Sequence, residues 1–588
     1  MKTHPVMLTI CLFLLICSSV APCIQGHCND VPLSVVIAEE TQYSSEESLV
    51  LPSSFSWRDI NGVDFTTPIR NQNPYPSCET FALVAAVETM VQYKVGFPFN
   101  CDLSEAHLFF HSGGIIHWGS YPENDTEYLK TYGVPDEACW PYPHSLYQYP
   151  LNTTSPDWMS RTVKITNWSY LPDDPVAVKT ALITNGPVPS YFLVYDDFMY
   201  FKKGIYRHKW GNVRGPHYMA IVGYNDDPGY WIVKNSWGTK FQEDGWVNIK
   251  YGECGIGKKT FYLTGVYGIF PLIYVDDDNL LGPWDGSIEH PYRTIQEGVD
   301  HAYPGYTVYV RSGTYHEHVL INKTIRLVGE DTSRTTIDGD GVNDVVTITV
   351  PGVIFSGFTV QNSGLETYDA GIKTLSLNSN VTIQETIVRN NTIGIYLNYA
   401  FETSWNIIRN NSISNNVKGI YAHWANNNQI TGNAITGNQD NGLEMACCEY
   451  ASIQGNIISD NGGIGIYIRG ASHRNVINGE NIIQNNMVGL MLSESNRNMV
   501  SKNNFIGNTN SASFYNSFFT TWRSNYWDDR VLFFPKIIRG TLGPRQLPSF
   551  DVDWFPLRKP YSSQDLSHNY KIPDVVTSLK NLEGLWSQ

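Results

Sequence analysis

The sequence predicts a multidomain chain, a mixed α+β domain followed by an all-β solenoid of stacked coils. Three observations predict it. The chain has 588 residues, more than one hydrophobic core ordinarily serves. Its patterning changes near residue 273, from helical and strand-like runs of varied length to short, repeated strands. Those strands recur at steps of 25, 23, 23 and 24 residues, measured between the glycines that open them, Gly394, Gly419, Gly442, Gly465 and Gly489.

The chain opens with "MKTHPVMLTICLFLLICSSVAPCIQG", a basic start at Lys2 and an apolar stretch from Val6 to Val20. This reads as a secretory signal over 1–26, followed by a short segment over 27–50. No other run reaches the roughly 18 apolar residues that a membrane helix needs, so the expectation is an exported protein with no membrane span, secreted or held at a cell surface. Charged residues are only 16% of the chain and the net charge is −16. That balance argues against a nucleic-acid partner, because phosphate contacts need clustered Lys and Arg. Ten cysteines occur. Cys11, Cys17, Cys23 and Cys28 fall near the signal. Export permits disulfides among the rest, and Cys101 with Cys139 is the preferred pair. Cys447 and Cys448 are expected on opposite faces of one strand. Sequons at Asn124, Asn152, Asn167, Asn322, Asn380, Asn390 and Asn410 permit glycosylation.

In the first half, one cysteine stands at the head of an apolar run, "NQNPYPSCETFALVAAVE" (71–88). Helical spacing follows it, so Cys78 is predicted at a helix N-terminus, where the dipole and unpaired N–H groups favour a thiolate. Downstream, "GPHYMAIVGY" puts His217 at the start of a strand and "YWIVKNSWG" puts Asn235 at the end of another. If these strands are neighbours, the imidazole meets the carboxamide at a sheet edge facing Cys78. Asn235 would then orient His217, Trp237 would cover their bond from water, and Gln72 would help the Cys78 N–H bind an oxyanion.

These pieces, in this order, resemble the papain family of cysteine proteases. The match runs from "LPSSFSWRDINGV" (51–63) through "DLSEAHLFF" (102–110), "GVPDEACWPY" (133–142), "KKGIY" (202–206) and "WIVKNSWGTKFQEDGWVNIK" (231–250) to "CGIG" (254–257). The resemblance implies a two-lobe papain-like domain over 51–268, with Cys78 as nucleophile, His217 as base and then acid, Asn235 as orienter and Gln72 as oxyanion donor. It also implies a substrate cleft lined by Gly113 and Gly114, and no metal or organic cofactor. Two departures stand out. Tyr75 replaces the family's first cysteine, which removes the disulfide that braces the loop, and Glu79 replaces the tryptophan after the nucleophile. The segment before residue 51 is also too short for the family's inhibitory propeptide.

The second half carries asparagines in step with its glycines. Asn390, Asn415, Asn438, Asn461 and Asn485 each precede an opening glycine by four residues, and a second series runs Asn411, Asn433, Asn456, Asn481 and Asn504. Asparagine tolerates a left-handed corner and can bond the asparagine one coil above. The regular repeat covers 385–508, with looser coils over 319–384. The period, and the opening "PYRTIQEGVDHAYPGYTVYV" with a capping helix at 294–302, resemble the right-handed parallel β-helix family of carbohydrate-binding and polysaccharide-active proteins. The expected domain spans 269–530, with a C-terminal cap or tail over 531–588. "DGDGVND" (338–344) has the carboxylates to bind a cation but reads more readily as a turn.

The expected function is a secreted cysteine endopeptidase acting on protein or peptide substrates, docked by its β-helix to a carbohydrate or cell-surface ligand through aromatics such as Tyr396, Tyr421, Trp424 and Tyr467. Two alternatives stay open. One is an inactive protease-like binding or adhesion protein, motivated by Glu79 and the missing disulfide. The other is a polysaccharide lyase or hydrolase using Glu444, Glu449 and Asp460.

Overall fold

A computed structural model describes residues 51 to 561 apart from 144, 146–156, 281, 376–379, 399–403, 486 and 530–533. The signal segment, the four cysteines near it, the Asn152 sequon and most of the expected tail lie outside the described residues.

The first half builds an α lobe against a β lobe. Helix α1 (Cys78–Val95) is the central element. It is buried almost continuously from Cys78 to Gln92 and ends at Gly96, whose φ of 92° is the left-handed cap that glycine accepts most easily. Helices α2 (Glu105–His111) and α3 (Pro122–Thr131) pack against it. The β lobe centres on the strand Val213–Asn225, the longest in the chain. Val188–Tyr195 and Ser54–Ser56 pair along it, and Tyr230–Lys234 and Trp246–Lys250 follow on its other side. A three-stranded sheet of Val134–Pro135, Thr162–Tyr170 and Phe261–Gly268 completes this half.

From Leu272–Val275 onward the chain winds as a parallel solenoid with sheets of 11, 10 and 11 strands. Its interior is stacked in register. One column runs Phe355, Ile383, Ile408, Ile430, Ile453, Ile477 and Val500 to Trp522, all buried. The predicted helix is Ile295–His301, held by a capping box in which Thr294 and Glu297 bond each other's backbone. An antiparallel hairpin, Lys536–Leu542 with Leu547–Asp553, ends the third sheet. The repeat glycines are required by close approach. A Cβ on Gly419 would lie 2.3 Å from the Gly442 carbonyl oxygen, and one on Gly465 2.6 Å from that of Gly489.

The asparagine register needs correction. The positions four before Gly394 and Gly419, Asn390 and Asn415, take the left-handed backbone at φ 57°. The next residue in each case makes the inter-coil bonds, so the ladder runs Asn391, Asn416, Asn438, Asn461, Asn485, Asn508. The second ladder is Asn411, Asn433, Asn456, then Glu480 and Asn503. Asn481 and Asn504 lie one place beyond it and bond each other. One residue thus turns the corner and its neighbour spans the coils.

The cysteines also differ from expectation. Cys101 is a buried free thiol, so the Cys101–Cys139 bridge is not formed. Cys447 sits in a turn at φ 56°, after the strand Leu443–Ala446, while Cys448 points into the solenoid core. The adjacent pair does diverge, but through a corner and not across a strand.

The two halves share a packed seam. Leu272 and Tyr274 of the first solenoid strand belong to the hydrophobic core of the first half. Phe97 stacks on Tyr309 with centroids 4.5 Å apart, and the Arg161 guanidinium, held by Asp136, lies 3.9 Å over the Tyr303 ring.

Candidate active site

Backbone geometry assembles the cleft. His217 lies on the strand Val213–Asn225, and Asn235 directly follows the adjacent antiparallel strand Tyr230–Lys234. Adjacent strands bring the two side chains together, and His217 Nε2 stands 2.9 Å from Asn235 Oδ1. The Trp237 ring stacks on the imidazole at 4.6 Å. Both His217 and Asn235 are buried. Burial disfavours the imidazolium and lowers the His217 pKa to about 4, against the raising effect of the Asn235 bond.

Cys78 begins α1, as its sequence context requires. The main-chain N–H of Tyr218, the residue after His217, faces the Cys78 sulfur and favours its thiolate. Sulfur and imidazole therefore belong to one corner, from opposite lobes. Gln72 reaches the same corner because its loop is zipped to the segment after Asn235. Its N–H donates to Ser236 O at 2.8 Å, Asn71 bridges Trp237, and Ser236 Oγ donates to Gln72 Oε1 at 2.7 Å. That last bond orients the carboxamide, whose Nε2 lies 3.3 Å from Tyr75 O.

The missing disulfide has a substitute. Tyr75 is buried among Phe81, Phe109, Trp140 and Tyr142. Tyr142 OH donates to Gln72 O at 2.6 Å and lies 2.7 Å from Ser77 Oγ, which ties the two ends of the nucleophile loop. Aromatic packing and one phenol do the bracing.

Glu79 is the feature that residue order leaves open. Its side chain turns back to Cys78, whose Sγ donates to Glu79 Oε2 at 3.2 Å. Burial raises the thiol pKa well above its ordinary value, and the Glu79 charge raises it further. The glycines divide similarly. Gly113 and Gly114 form the turn after α2, and Gly114 N–H bonds Phe109 O at 2.8 Å. Gly119 is the glycine beside the nucleophile loop: a Cβ there would stand 3.0 Å from Pro76 O and 3.8 Å from Glu79 Oε2. Its position signals nothing in the sequence, because a β-bridge to Ile115 is what brings it there.

On the solenoid, Tyr396 and Tyr421 are buried, which removes them as exposed sugar platforms, whereas Trp424 is 44% exposed. Glu444 is buried between Lys418 and Arg469, with Arg469 Nε at 2.8 Å. Although burial opposes it, bonds from Lys418, Asn441 and Arg469 hold this carboxyl below its ordinary range. Glu449 pairs with Arg474 instead, and Asp460 occupies a left-handed corner.

Each half is similar in sequence to known proteins. Residues 51–264 match the family model described as papain family cysteine protease, and residues 332–541 match that described as periplasmic copper-binding protein (NosD). Cathepsin B-like CP3 of Giardia intestinalis is 30% identical over 249 residues, which cover 36% of this chain and 80% of that protein. Fruit bromelain of Ananas comosus is 27% identical over 244 residues, covering 40% of this chain and 66% of that one. A solved structure of bromelain from Ananas comosus with the E64 inhibitor is 26% identical and covers 36% of this chain and 99% of that chain, with a TM-score of 0.32. Through residues 51–264 the chain belongs to the papain family of cysteine proteases, and it is a cysteine peptidase.

Proposed function

We propose that the chain is a secreted endopeptidase that cleaves protein or peptide substrates through Cys78, His217 and Asn235. The observation that carries this reading is the His217–Asn235 bond at 2.9 Å beneath Trp237, with the N–H of the very next residue, Tyr218, facing the Cys78 sulfur. The Cys78 thiolate attacks the peptide carbonyl. The Cys78 N–H and the Gln72 carboxamide receive the oxyanion, His217 protonates the leaving amine, and water then hydrolyses the thioester. Gly119, with Gly113 and Gly114 behind it, forms one wall of the cleft, and every role is filled by the chain's own groups.

The test is Cys78→Ala against the wild type, with casein as substrate and an epoxide inhibitor as label. Loss of both cleavage and labelling is expected, and equal cleavage by the two proteins sinks the reading. A second reading, an inactive protease-like binding protein, is favoured by the Cys78–Glu79 contact, and wild-type labelling at Cys78 by the same epoxide counts against it.

Export follows from the signal-like segment over 1–26, and among the described residues no helix is long and apolar enough to cross a membrane. The solenoid serves as the anchor to glycan or cell surface. Its exposed Trp405, Trp424 and Tyr450, the last with the Arg474 guanidinium 5.4 Å from its ring centroid, offer flat faces for sugar rings. Trp424→Ala in the full chain is expected to weaken retention on insoluble plant or microbial polysaccharide.

A further inference from the structure

The family chemistry calls for a sulfur that gives its proton to an imidazole. Here a carboxylate stands in the way. Glu79 follows Cys78 in the first turn of α1, and its Oε2 accepts from Cys78 Sγ at 3.2 Å. A charged acceptor at that distance holds the proton on sulfur and repels a thiolate.

The groups around Glu79 make the contact an isolated, acidic one. On its own helix it faces Cys78. From α3 comes Asp125, which is buried, accepts from Ser120 Oγ at 2.6 Å and also bonds Ser112 Oγ. On the same helix Glu123 accepts from Tyr170 OH at 2.6 Å. From the strand Val213–Asn225 comes Tyr218, whose phenol feels both Glu79 and Glu123. No lysine or arginine is among the groups acting on Glu79. Gly119 leaves room for its carboxylate, at 3.8 Å from the nearest position a Cβ would take.

We propose that the Glu79 carboxylate is the resting acceptor of the Cys78 thiol proton, and that protonation of Glu79 releases the sulfur to His217, which makes the peptidase acid-dependent. The proposal rests on the assignment of Cys78 and His217 above. One proton enters from solvent and settles on Glu79. The thiol proton then passes to His217 Nδ1, since Nε2 is engaged by Asn235, and leaves a thiolate facing an imidazolium. Burial raises the pKa of Glu79 above the ordinary carboxylate value and so brings the switch toward mild acidity. Asp125, at about 7, adds negative charge only as neutrality is approached. Ionised Glu79 thus supplies a form of latency.

The test compares wild type and Glu79→Gln as full chains, with two readouts: the pH dependence of Cys78 alkylation by iodoacetamide, assigned by peptide mass, and the pH profile of kcat/KM on casein peptides. With Glu79 protonated the two proteins are expected to alkylate alike, whereas as pH rises and Glu79 ionises the wild-type rate falls and Glu79→Gln keeps its thiolate, a difference of at least about tenfold in thiolate fraction for one unit of coupling. Wild-type kcat/KM is expected to fall as pH rises through the raised Glu79 titration, and Glu79→Gln to keep its activity across that range. Should Glu79→Gln fail to fold, Glu79→Ala is read in the same way. Superimposable curves for wild type and variant overturn the proposal even where casein is cleaved and Cys78→Ala is dead. A shifted alkylation curve without peptide cleavage in either protein upholds the Glu79 contact and sinks the peptidase assignment instead.

Discussion

At the scale of single residues, the site depends on bonds that hold an imidazole in one orientation. Asn235 Oδ1 accepts from only one ring nitrogen, Nε2, at 2.9 Å. Asn235→Ala is therefore expected to lower kcat/KM by on the order of a hundredfold, at the low end of what acid–base catalysis supplies, with the fold unchanged by circular dichroism. A loss below threefold would mean that Trp237 alone fixes the ring. The sequence nominates Cys78, His217, Asn235 and Gln72 through the motifs around them: Cys78 opens α1 and Asn235 follows the strand Tyr230–Lys234, whereas His217 lies inside the strand Val213–Asn225. The direction of the Glu79 side chain is not legible in it. Residue order places it one position after the nucleophile, but only the approach of α3 and the Gly119 bridge turns it back toward sulfur.

At the scale of elements, the solenoid is a test of stacking. A Cβ on Gly442 would lie 2.8 Å from both the Gly465 carbonyl oxygen and Asn461 Nδ2, and backbone cannot move aside. Gly442→Ala is expected to destabilise by about 1–3 kcal/mol, read as a lower midpoint in urea. The second ladder holds Glu480, a fully buried carboxyl whose neighbouring rungs are the asparagines Asn456 and Asn503. Burial pushes its pKa up to about 8, against the bonds from Asn456. The folded value lies above the unfolded one, so Glu480 supports the fold below the ordinary carboxylate range and progressively less as pH rises from there through about 8. Glu480→Gln is accordingly expected to match wild type near pH 5 and to exceed it by more than about 1 kcal/mol at pH 8.5, measured by urea unfolding. Equal stability at both pH values would show that the carboxyl escapes its buried state. The period of the ladder was legible. Its phase was not, because two adjacent residues share the corner and either asparagine satisfies the spacing.

At the scale of the whole molecule, protease and solenoid meet through Phe97 on Tyr309 and Arg161 over Tyr303, with Leu272 and Tyr274 already inside the first half's core. Such a seam predicts cooperative unfolding. Tyr309→Ala, which forfeits the ring pair beyond its buried area, is expected to cost about 0.5–1.5 kcal/mol and to speed limited proteolysis near residues 268–272. Unchanged proteolysis would show that the two halves are merely tethered.

The sequence by itself determined the two architectures and nominated the groups proposed to react, because periodicity and motif spacing are local properties written along the chain. The tertiary structure alone decided what surrounds those groups. The brace that replaces a disulfide, the buried state of Tyr396 and Tyr421, the ladder register and the carboxylate on the nucleophile all arise from segments far apart in sequence. Burial and side-chain direction belong to packing, and packing has no signature in residue order.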